Sequence, residues 1–310
     1  MISPFFSIIL PTFNRASFLP IAIRSVLEQT YIDWELIIID DGSTDETNII
    51  VSHFNDNRIR YFWQENQERS IARNNGISKA TGEYICFLDS DDFFLPNHLQ
   101  VFYNNLIIKR CPIAFFYTDL QHQNNNGQFK PLIYDFEFEN DLDFVLRTTI
   151  HSQQTCIHNT ILKEFRYNSK FRIGEDIELW MHIFNTYQVY HIPEITLVVV
   201  QHQERSVDYK KVDSYLSILG LYKHIFSKPN PGSKIPFRRK LYLYSALYFG
   251  IGRSYIVNTQ KWKAIYYLSK SLLLSPFVIE AKHRLYLILM LLFSKDYCTI
   301  YCKTELGINE

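Results

Sequence analysis

Thr81-Gly82-Glu83-Tyr84-Ile85-Cys86-Phe87-Leu88-Asp89-Ser90-Asp91-Asp92 is the stretch on which the reading of this sequence turns. Tyr84 to Leu88 is a short apolar run bounded by polar residues, and it predicts a buried strand. The strand runs directly into three carboxylates. Hard divalent cations bind carboxylate oxygens, and Mg²⁺ commonly keeps one or two of them together with substrate phosphates. Carboxylates two apart at a strand end can reach one metal, directly or through water. An Asp-rich turn capping the next helix is the plain structural alternative, and these residues alone leave both open.

Upstream, the same grammar repeats. Phe5-Phe6-Ser7-Ile8-Ile9-Leu10 is an apolar run closed by Pro11, which reads as a buried strand. Ser17 to Thr30 carries Leu19, Ile23, Val26 and Leu27 near 3.6-residue spacing, the pattern of an amphipathic helix with Pro20 in its first turn. Glu35 to Ile39 predicts a second strand, ended by Asp40-Asp41-Gly42-Ser43, and a helix from Asp45 to Phe54 with Ser43 or Thr44 as its N-cap. Ile59 to Trp63 predicts a third strand. Ile71 to Lys79 predicts a third helix, with Gly82 as its C′ glycine. Apolar strands alternating with helices predict an α/β fold, a mostly parallel sheet covered by helices on both faces. Ligands of such sheets bind beyond the C-terminal strand ends. Thr12-Phe13-Asn14-Arg15, Asp40-Asp41-Gly42-Ser43 and Asp89-Ser90-Asp91-Asp92 all fall at those ends, so the pattern places them in one crevice. Alone, the second of these reads as an acidic turn and helix cap.

Downstream, Asn124-Asn125-Asn126-Gly127 predicts a hairpin tip. Residues 136–160 give no clear pattern. Glu175-Asp176 follow Gly174 and precede Ile177, Leu179 and Trp180, a helix start. There the carboxylates are either caps stabilised by the helix dipole or a general base that takes a proton from an acceptor hydroxyl. Exposure and the free N–H groups of the helix start predict a lowered carboxylate pKa. Ile195 to Val200 predicts another strand. Beyond residue 208 the pattern is helical and aromatic, with 12 of the chain's 21 tyrosines. The boundary is placed near 205, giving a region 1–205 and a region 206–310.

Charge divides at the same place. The 310 residues carry no net charge, yet residues 1–200 hold 15 Lys and Arg against 25 Asp and Glu, and residues 201–310 hold 17 against 7. A basic segment behind an acidic body suggests two tasks and an attraction to anionic surfaces. The five cysteines, at 86, 111, 156, 298 and 302, form no dense framework, which fits a reducing compartment. Cys298 and Cys302 are four apart, with no partner pair at zinc spacing. No secretory signal pattern opens the chain. The longest apolar run, Leu285 to Phe293, is well short of the ~20 residues needed to span a bilayer.

Together the clusters resemble glycosyltransferase family 2, inverting enzymes with a GT-A fold. The resemblance is carried by Ser7-Ile8-Ile9-Leu10-Pro11-Thr12-Phe13-Asn14-Arg15, by Glu35 through Thr44, by Ala72-Arg73-Asn74-Asn75-Gly76-Ile77 and by Thr81 through Asp92, in the family's order and spacing. It covers residues 5–100 tightly and 100–205 loosely. It implies a GT-A, Rossmann-like catalytic domain over 1–205, followed by a basic, aromatic-rich helical region over 206–310. It further implies that Pro11, Thr12, Asn14 and Arg15 line a nucleotide pocket, that Asp41 meets the nucleobase edge (uracil in the usual case), and that Arg73 lies near the nucleotide. Asp89 and Asp91 match the DxD motif, with Asp91 as direct ligand of Mn²⁺ or Mg²⁺. Glu175-Asp176 match the ED motif, with Asp176 as catalytic base. His202 takes the place of a C-terminal metal-associated histidine, although Val200-Gln201-His202-Gln203-Glu204-Arg205-Ser206 departs from the usual pattern and the plain reading is a polar residue at a strand end.

The resemblance implies transfer of a sugar from a nucleotide-sugar donor to a glycan or glycolipid acceptor, in cell-surface polysaccharide synthesis at the cytoplasmic face of a membrane. A non-catalytic carbohydrate-binding or scaffold protein on the same fold is the competing class, and the intact Asp89, Asp91 and Asp176 argue against it. A nucleotidyltransferase lacks its Gly-rich, Lys-containing phosphate loop here. A dinucleotide dehydrogenase lacks its GxGxxG. No nucleic-acid-binding motif accompanies the basic segment. Leu247 through Pro276 loosely resembles one tetratricopeptide-type repeat, through Gly250, Tyr255, Ala264, Leu268 and Pro276. A single repeat predicts a helical hairpin, not a solenoid. The basic Phe237-Arg238-Arg239-Lys240 and the tyrosines suit peripheral contact with an anionic membrane, or else the aromatic stripe simply packs inside the protein.

Overall fold

A computed structural model describes residues 3–133, 142–148, 150–202, 212–276, 281–294, 297 and 301. The chain divides into two compact units, Met1–Arg205 and Ser206–Glu310. The expected boundary falls on residues 203–211, which lie outside the described residues, as do Cys298 and Cys302.

The first unit alternates strand and helix: β1 Phe6–Thr12, α1 Leu19–Leu27, β2 Trp34–Asp40, α2 Thr47–Ser52, β3 Ile59–Trp63, α3 Arg69–Lys79, β4 Tyr84–Phe87 and β5 Phe93–Phe94. It continues with α4 His98–Ile108, β6 Ala114–Gln123, β7 Phe129–Leu132, α5 Leu142–Arg147, a 3-10 turn Ser152–Gln154, β8 Thr155–His158, α6 Asn159–Glu164, α7 Glu175–Thr186 and β9 Gln188–Val200. One sheet contains all nine strands in the order β3-β2-β1-β4-β8-β6-β9-β5, with β7 paired to β6. Strands β1 to β4 pair in parallel, as do β6 and β9.

Strands β1, β2 and β4 are mostly apolar because both of their faces are covered, and the buried Ser7 and Glu35 among them bond to each other at 2.7 Å. Ile8, Leu10, Leu36 and Ile38 pack with Leu19, Ile23 and Val26 of α1 and with Leu99, Phe102 and Leu106 of α4. Their alternates Ile37 and Ile39 pack with Ala72 of α3 on the opposite face. A period of two therefore delivers every second residue to a different helix layer. Pairing of β1 with β4 ends at Ile9, so Pro11 sits where β1 is paired on one side only, the position at which proline is tolerated.

Three local readings are corrected. The cap of α2 is neither Ser43 nor Thr44, since the helix begins at Thr47 and the Asp45 carboxylate accepts from the Thr47 amide at 3.1 Å. Gly82 is not a C′ glycine. The cap of α3 is Ala80 in extended conformation, and Gly82 is required because a Cβ there would lie 2.7 Å from the Ser7 amide nitrogen. The ambiguous stretch after residue 136 holds α5, the 3-10 turn and β8 among its described residues, and β8 runs antiparallel to both neighbours. Four residues are too few for periodicity to declare a strand. The hairpin tip expected at Asn124–Gly127 does join β6 to β7, with the Gly127 amide donating to the Asn124 carbonyl at 2.9 Å.

The second unit is helical: α8 Val212–Ile225, a 3-10 turn Pro231–Lys234, α9 Phe237–Val257, α10 Lys261–Leu274 and α11 Ala281–Phe293. The expected hairpin is α9 and α10. Ala264 and Leu268 are fully buried, and Gly252 lets the Leu268 side chain approach to where a Cβ would meet it at 2.7 Å. Among the described residues no helix is long and apolar enough to cross a membrane.

His98 gives the fold a dependence on pH. It is fully buried, stacked on Phe94 with centroids 3.7 Å apart, and its Nδ1 lies 2.8 Å from Thr196 Oγ1. Burial lowers its pKa to about 3. An unfolded histidine binds a proton below about 6.5, whereas the folded chain refuses it, so stability falls as pH drops from there toward 3. At pH 5 this one group should cost about 2 kcal/mol relative to pH 8. Urea unfolding of the wild type and His98→Phe across this range checks it: the variant should lose that part of the slope.

Candidate functional site

The C-terminal ends of β1 and β2 are pinned together by their loops. Asn14 adopts a positive φ of 50°, which asparagine tolerates better than most residues. Its Oδ1 accepts from the Thr44 amide at 2.8 Å, and its own amide donates to Ser43 Oγ at 2.9 Å. The Ala16 amide donates to Asp45 Oδ2 at 3.0 Å. Gly42, with a φ of 85°, turns where a Cβ would press to 2.8 Å from the Asn66 amide nitrogen. Pro11 is partly exposed, and Thr12 is buried with its hydroxyl unpartnered. Arg15 is partly exposed, its guanidinium 5.7 Å from the Phe18 ring centroid. Asp41 is buried, and its Oδ1 accepts from Gln64 Nε2 at 2.6 Å and from the Gln67 amide at 2.9 Å.

Helix α3 ties this loop system to the rest of the crevice, one residue at a time. Ala72 packs on the sheet. Asn75 Nδ2 donates to Gln64 Oε1 at 2.7 Å, supporting the glutamine that holds Asp41. Asn74 exchanges two bonds with the backbone of Tyr167, at 2.8 and 3.0 Å. Arg73 is 3% exposed, and its guanidinium donates to Asp89 Oδ1 at 2.8 Å and to Glu175 Oε1 at 3.0 Å. Arg73 therefore bridges the end of β4 to the first turn of α7.

Of the carboxylates after β4, Asp92 is buried and structural. Gln153 Nε2 donates to its Oδ2 at 2.6 Å, and the Val200 amide donates to its Oδ1 at 2.8 Å. That second bond holds the end of β9 against the acidic turn. Two residues later, His202 Nε2 comes within 3.0 Å of Asp91 Oδ2, and the His202 ring lies against Phe18 with centroids 4.5 Å apart. Oxygens of Asp89, Asp91 and Asp92 lie within 4.8 Å of one another. With Asp92 engaged by neutral donors, Asp91, Asp89 and the His202 imidazole are the groups that could hold an ion. Carboxylate oxygens with one imidazole suit a hard or borderline divalent ion whose remaining positions are filled by water or phosphate.

At the start of α7, Glu175 is buried against Arg73, with Arg69 Nε 3.8 Å from its Oε1. Asp176 Oδ1 accepts from the Ile177 amide at 2.8 Å. The expected depressed carboxylate is corrected. Burial first, and then the neighbouring Glu175 charge, push Asp176 up to about 7, against the opposing pull of Arg73. The cap position of α7 is Gly174, which has no side chain to offer.

Arg69, Gln153 and Phe18 were missed in the sequence. Arg69 lies one helical turn before Arg73 on the same face, a signal that was available. Gln153 and Phe18 carry none, because what makes them matter is contact across the sheet.

Residues 7–164 match the profile of Glycosyl transferase family 2. An "Uncharacterized glycosyltransferase" of Rickettsia felis is 35% identical over 180 residues, 57% of this chain and 30% of that protein. The chain thus spans less than a third of the length of that relative. The Escherichia coli UDP-Glc:alpha-D-GlcNAc-diphosphoundecaprenol beta-1,3-glucosyltransferase WfgD is 33% identical over 57% of this chain and 68% of its own length. The GalNAc(5)-diNAcBac-PP-undecaprenol beta-1,3-glucosyltransferase of Campylobacter jejuni is 27% identical over 85% of this chain and 86% of its own. Among solved structures, S. aureus TarS 1-349 in complex with UDP-GlcNAc superposes with a TM-score of 0.62 at 16% identity, over 90% of this chain and 91% of that one. The mannosyltransferase PcManGT from Pyrobaculum calidifontis, in complex with GDP-Man and Mn2+, gives 0.60 at 18% identity, over 97% and 84%. These likenesses establish the GT-A fold.

Removing Arg73 leaves the buried Glu175 with only the more distant Arg69 guanidinium, at 3.8 Å, as a countercharge. Arg73→Met should lower the unfolding free energy by about 3–5 kcal/mol, measured as a shift in urea midpoint at constant slope. A change below about 1 kcal/mol would mean that the bridge is not a structural element.

Proposed function

The chain belongs to glycosyltransferase family 2, and from that premise we propose that it is an inverting hexosyltransferase. Its donor is a nucleoside-diphosphate sugar, with UDP as the carrier, and its acceptor is a hydroxyl of a lipid-linked glycan in cell-surface polysaccharide synthesis. The catalytic domain is assigned to residues 1–205 and the basic, aromatic-rich helical region to 206–310. One observation carries the reading. Arg73 joins Asp89 of the DxD motif, 16 residues away in sequence, to Glu175 of the ED motif, 102 residues away, so that the groups that would face the metal and accept the proton flank one crevice. The E. coli relative's name supports UDP, and both glucosyltransferase names support an undecaprenol-linked acceptor.

In this reading Asp41 and the Pro11, Thr12, Asn14 and Arg15 loop receive the nucleoside. Asp91, with Asp89 and His202, would hold Mn²⁺ or Mg²⁺, which when bound would supply positive charge to offset that of the diphosphate. Asp176 accepts the proton of the acceptor hydroxyl, whose oxygen bonds to the anomeric carbon as the bond to the diphosphate breaks. The two events occur on opposite faces of the sugar, so the configuration inverts. Glu175 serves the reaction through Asp176. It keeps its charge paired with Arg73 and raises its neighbour's proton affinity. A base with a pKa near 7 is well matched to proton transfer at neutral pH.

Two outcomes test this. Calorimetric titration should give binding of UDP in the presence of Mn²⁺, lost in Asp91→Ala. If UDP, GDP and TDP all fail to bind with and without metal, the crevice is not a donor site. Binding without transfer to any acceptor would support the carbohydrate-binding scaffold instead. Second, kcat/KM should rise with pH through about 7 as Asp176 loses its proton, and level off above. Asp176→Asn should retain nucleotide binding and lose at least about 100-fold in kcat. A variant as active as the wild type removes Asp176 from the chemistry.

A further inference from the structure

The second unit carries an apolar face that no described residue covers. On α11, Leu285, Tyr286, Leu289, Leu292 and Phe293 recur at i, i+1, i+4, i+7 and i+8, a single stripe on a helix of 3.6 residues per turn. The opposite face, with Arg284, Leu287, Met290 and Leu291, is buried in the unit's own core. The stripe is exposed along its whole length, with Phe293 at 84% and the other four between 44% and 49%. On α10, Trp262 and Leu273 are exposed as well, at 73% and 80%.

Charge identifies the occupant. Helices α9, α10 and α11 contain nine Lys and Arg residues and no Asp or Glu. Not all of this charge is available: Arg284 is buried, and Lys240, from the basic Phe237–Lys240 segment, donates its ammonium to the Ser233 carbonyl at 2.7 Å. Arg238, Lys263 and Lys282 are exposed. A second copy meeting this face with its own would set like charges against each other. A surface that accepts leucine and phenylalanine, tolerates tyrosine and tryptophan at its boundary and attracts cations is an anionic phospholipid bilayer. The nine-residue run from Leu285 to Phe293 is too short to cross one, so the helix lies in the interface plane.

We propose that the exposed face of α11 is a bilayer-contact surface that holds the C-terminal unit on an anionic membrane. This deepens the lipid-linked-acceptor reading above, and rests on it only for the choice of a membrane as the place of work. The full chain should float with vesicles of phosphatidylglycerol mixed into phosphatidylcholine, and much less with phosphatidylcholine alone. Leu289→Glu combined with Phe293→Glu should cut vesicle partition by about tenfold or more, because both the apolar area and the charge balance are lost. Both residues are exposed, so the unfolding midpoint and UDP binding should be unchanged. Partition equal to wild type in the double variant overturns the proposal. So does failure of the wild type to float, or a solution dimer that the same substitutions dissolve. UDP titration without vesicles reports the donor site separately, so a failure here is distinguishable from a failure of the transferase reading.

Discussion

A buried guanidinium holds the first unit's crevice together. Arg73 sits almost out of water between Asp89, sixteen residues away, and Glu175, more than a hundred away. An isolated charge in that position would be strongly disfavoured, and two carboxylates would repel each other without it. The three groups are tolerable only together. The end of β4 and the start of α7 must therefore meet for either to be stable, which turns an electrostatic requirement into a fixed geometry.

The same helix distributes that constraint. Residues 72 to 75 each answer a different part of the site: the sheet, the two carboxylates, the Tyr167 backbone, and the glutamine behind Asp41. Asp92 does comparable work on the other side by receiving the Val200 amide, which brings His202 to Asp91. Each acidic motif then has one member committed to structure. Asp92 and Glu175 are buried and bonded, while Asp91 and Asp176 remain partly exposed. In the proposed mechanism those two carry the metal and the proton. The raised pKa of Asp176 follows first from its desolvation at the helix start and then from this division, since Glu175 beside it makes a second negative charge less favourable.

Much of this was legible in the sequence, and for identifiable reasons. A strand buried on both faces is apolar at most positions, so β1, β2 and β4 announce themselves. The polar residues that follow them mark the crevice at the strand ends. The carboxylate pairs were visible for the same reason, although each alone reads equally as an acidic turn or helix cap and only the ordered set points to a site. The basic character of the last hundred residues was likewise a matter of counting.

Tertiary structure alone decided what each charge does. Nothing local distinguishes Asp91 from Asp92, yet the amide of Val200 and the amide of Gln153 claim one of them. The helix start at Asp176 predicted a low pKa, and desolvation with a neighbouring carboxylate reversed it. Gly82 looked like a helix cap and is instead a point of close approach to β1. The short antiparallel β8 could not be read at all. Local sequence fixes which residues can be buried and which must stay polar, because that depends on composition and period. Which polar groups meet, and so which of them are neutralised, desolvated or left for chemistry, depends on contacts between segments far apart in the chain.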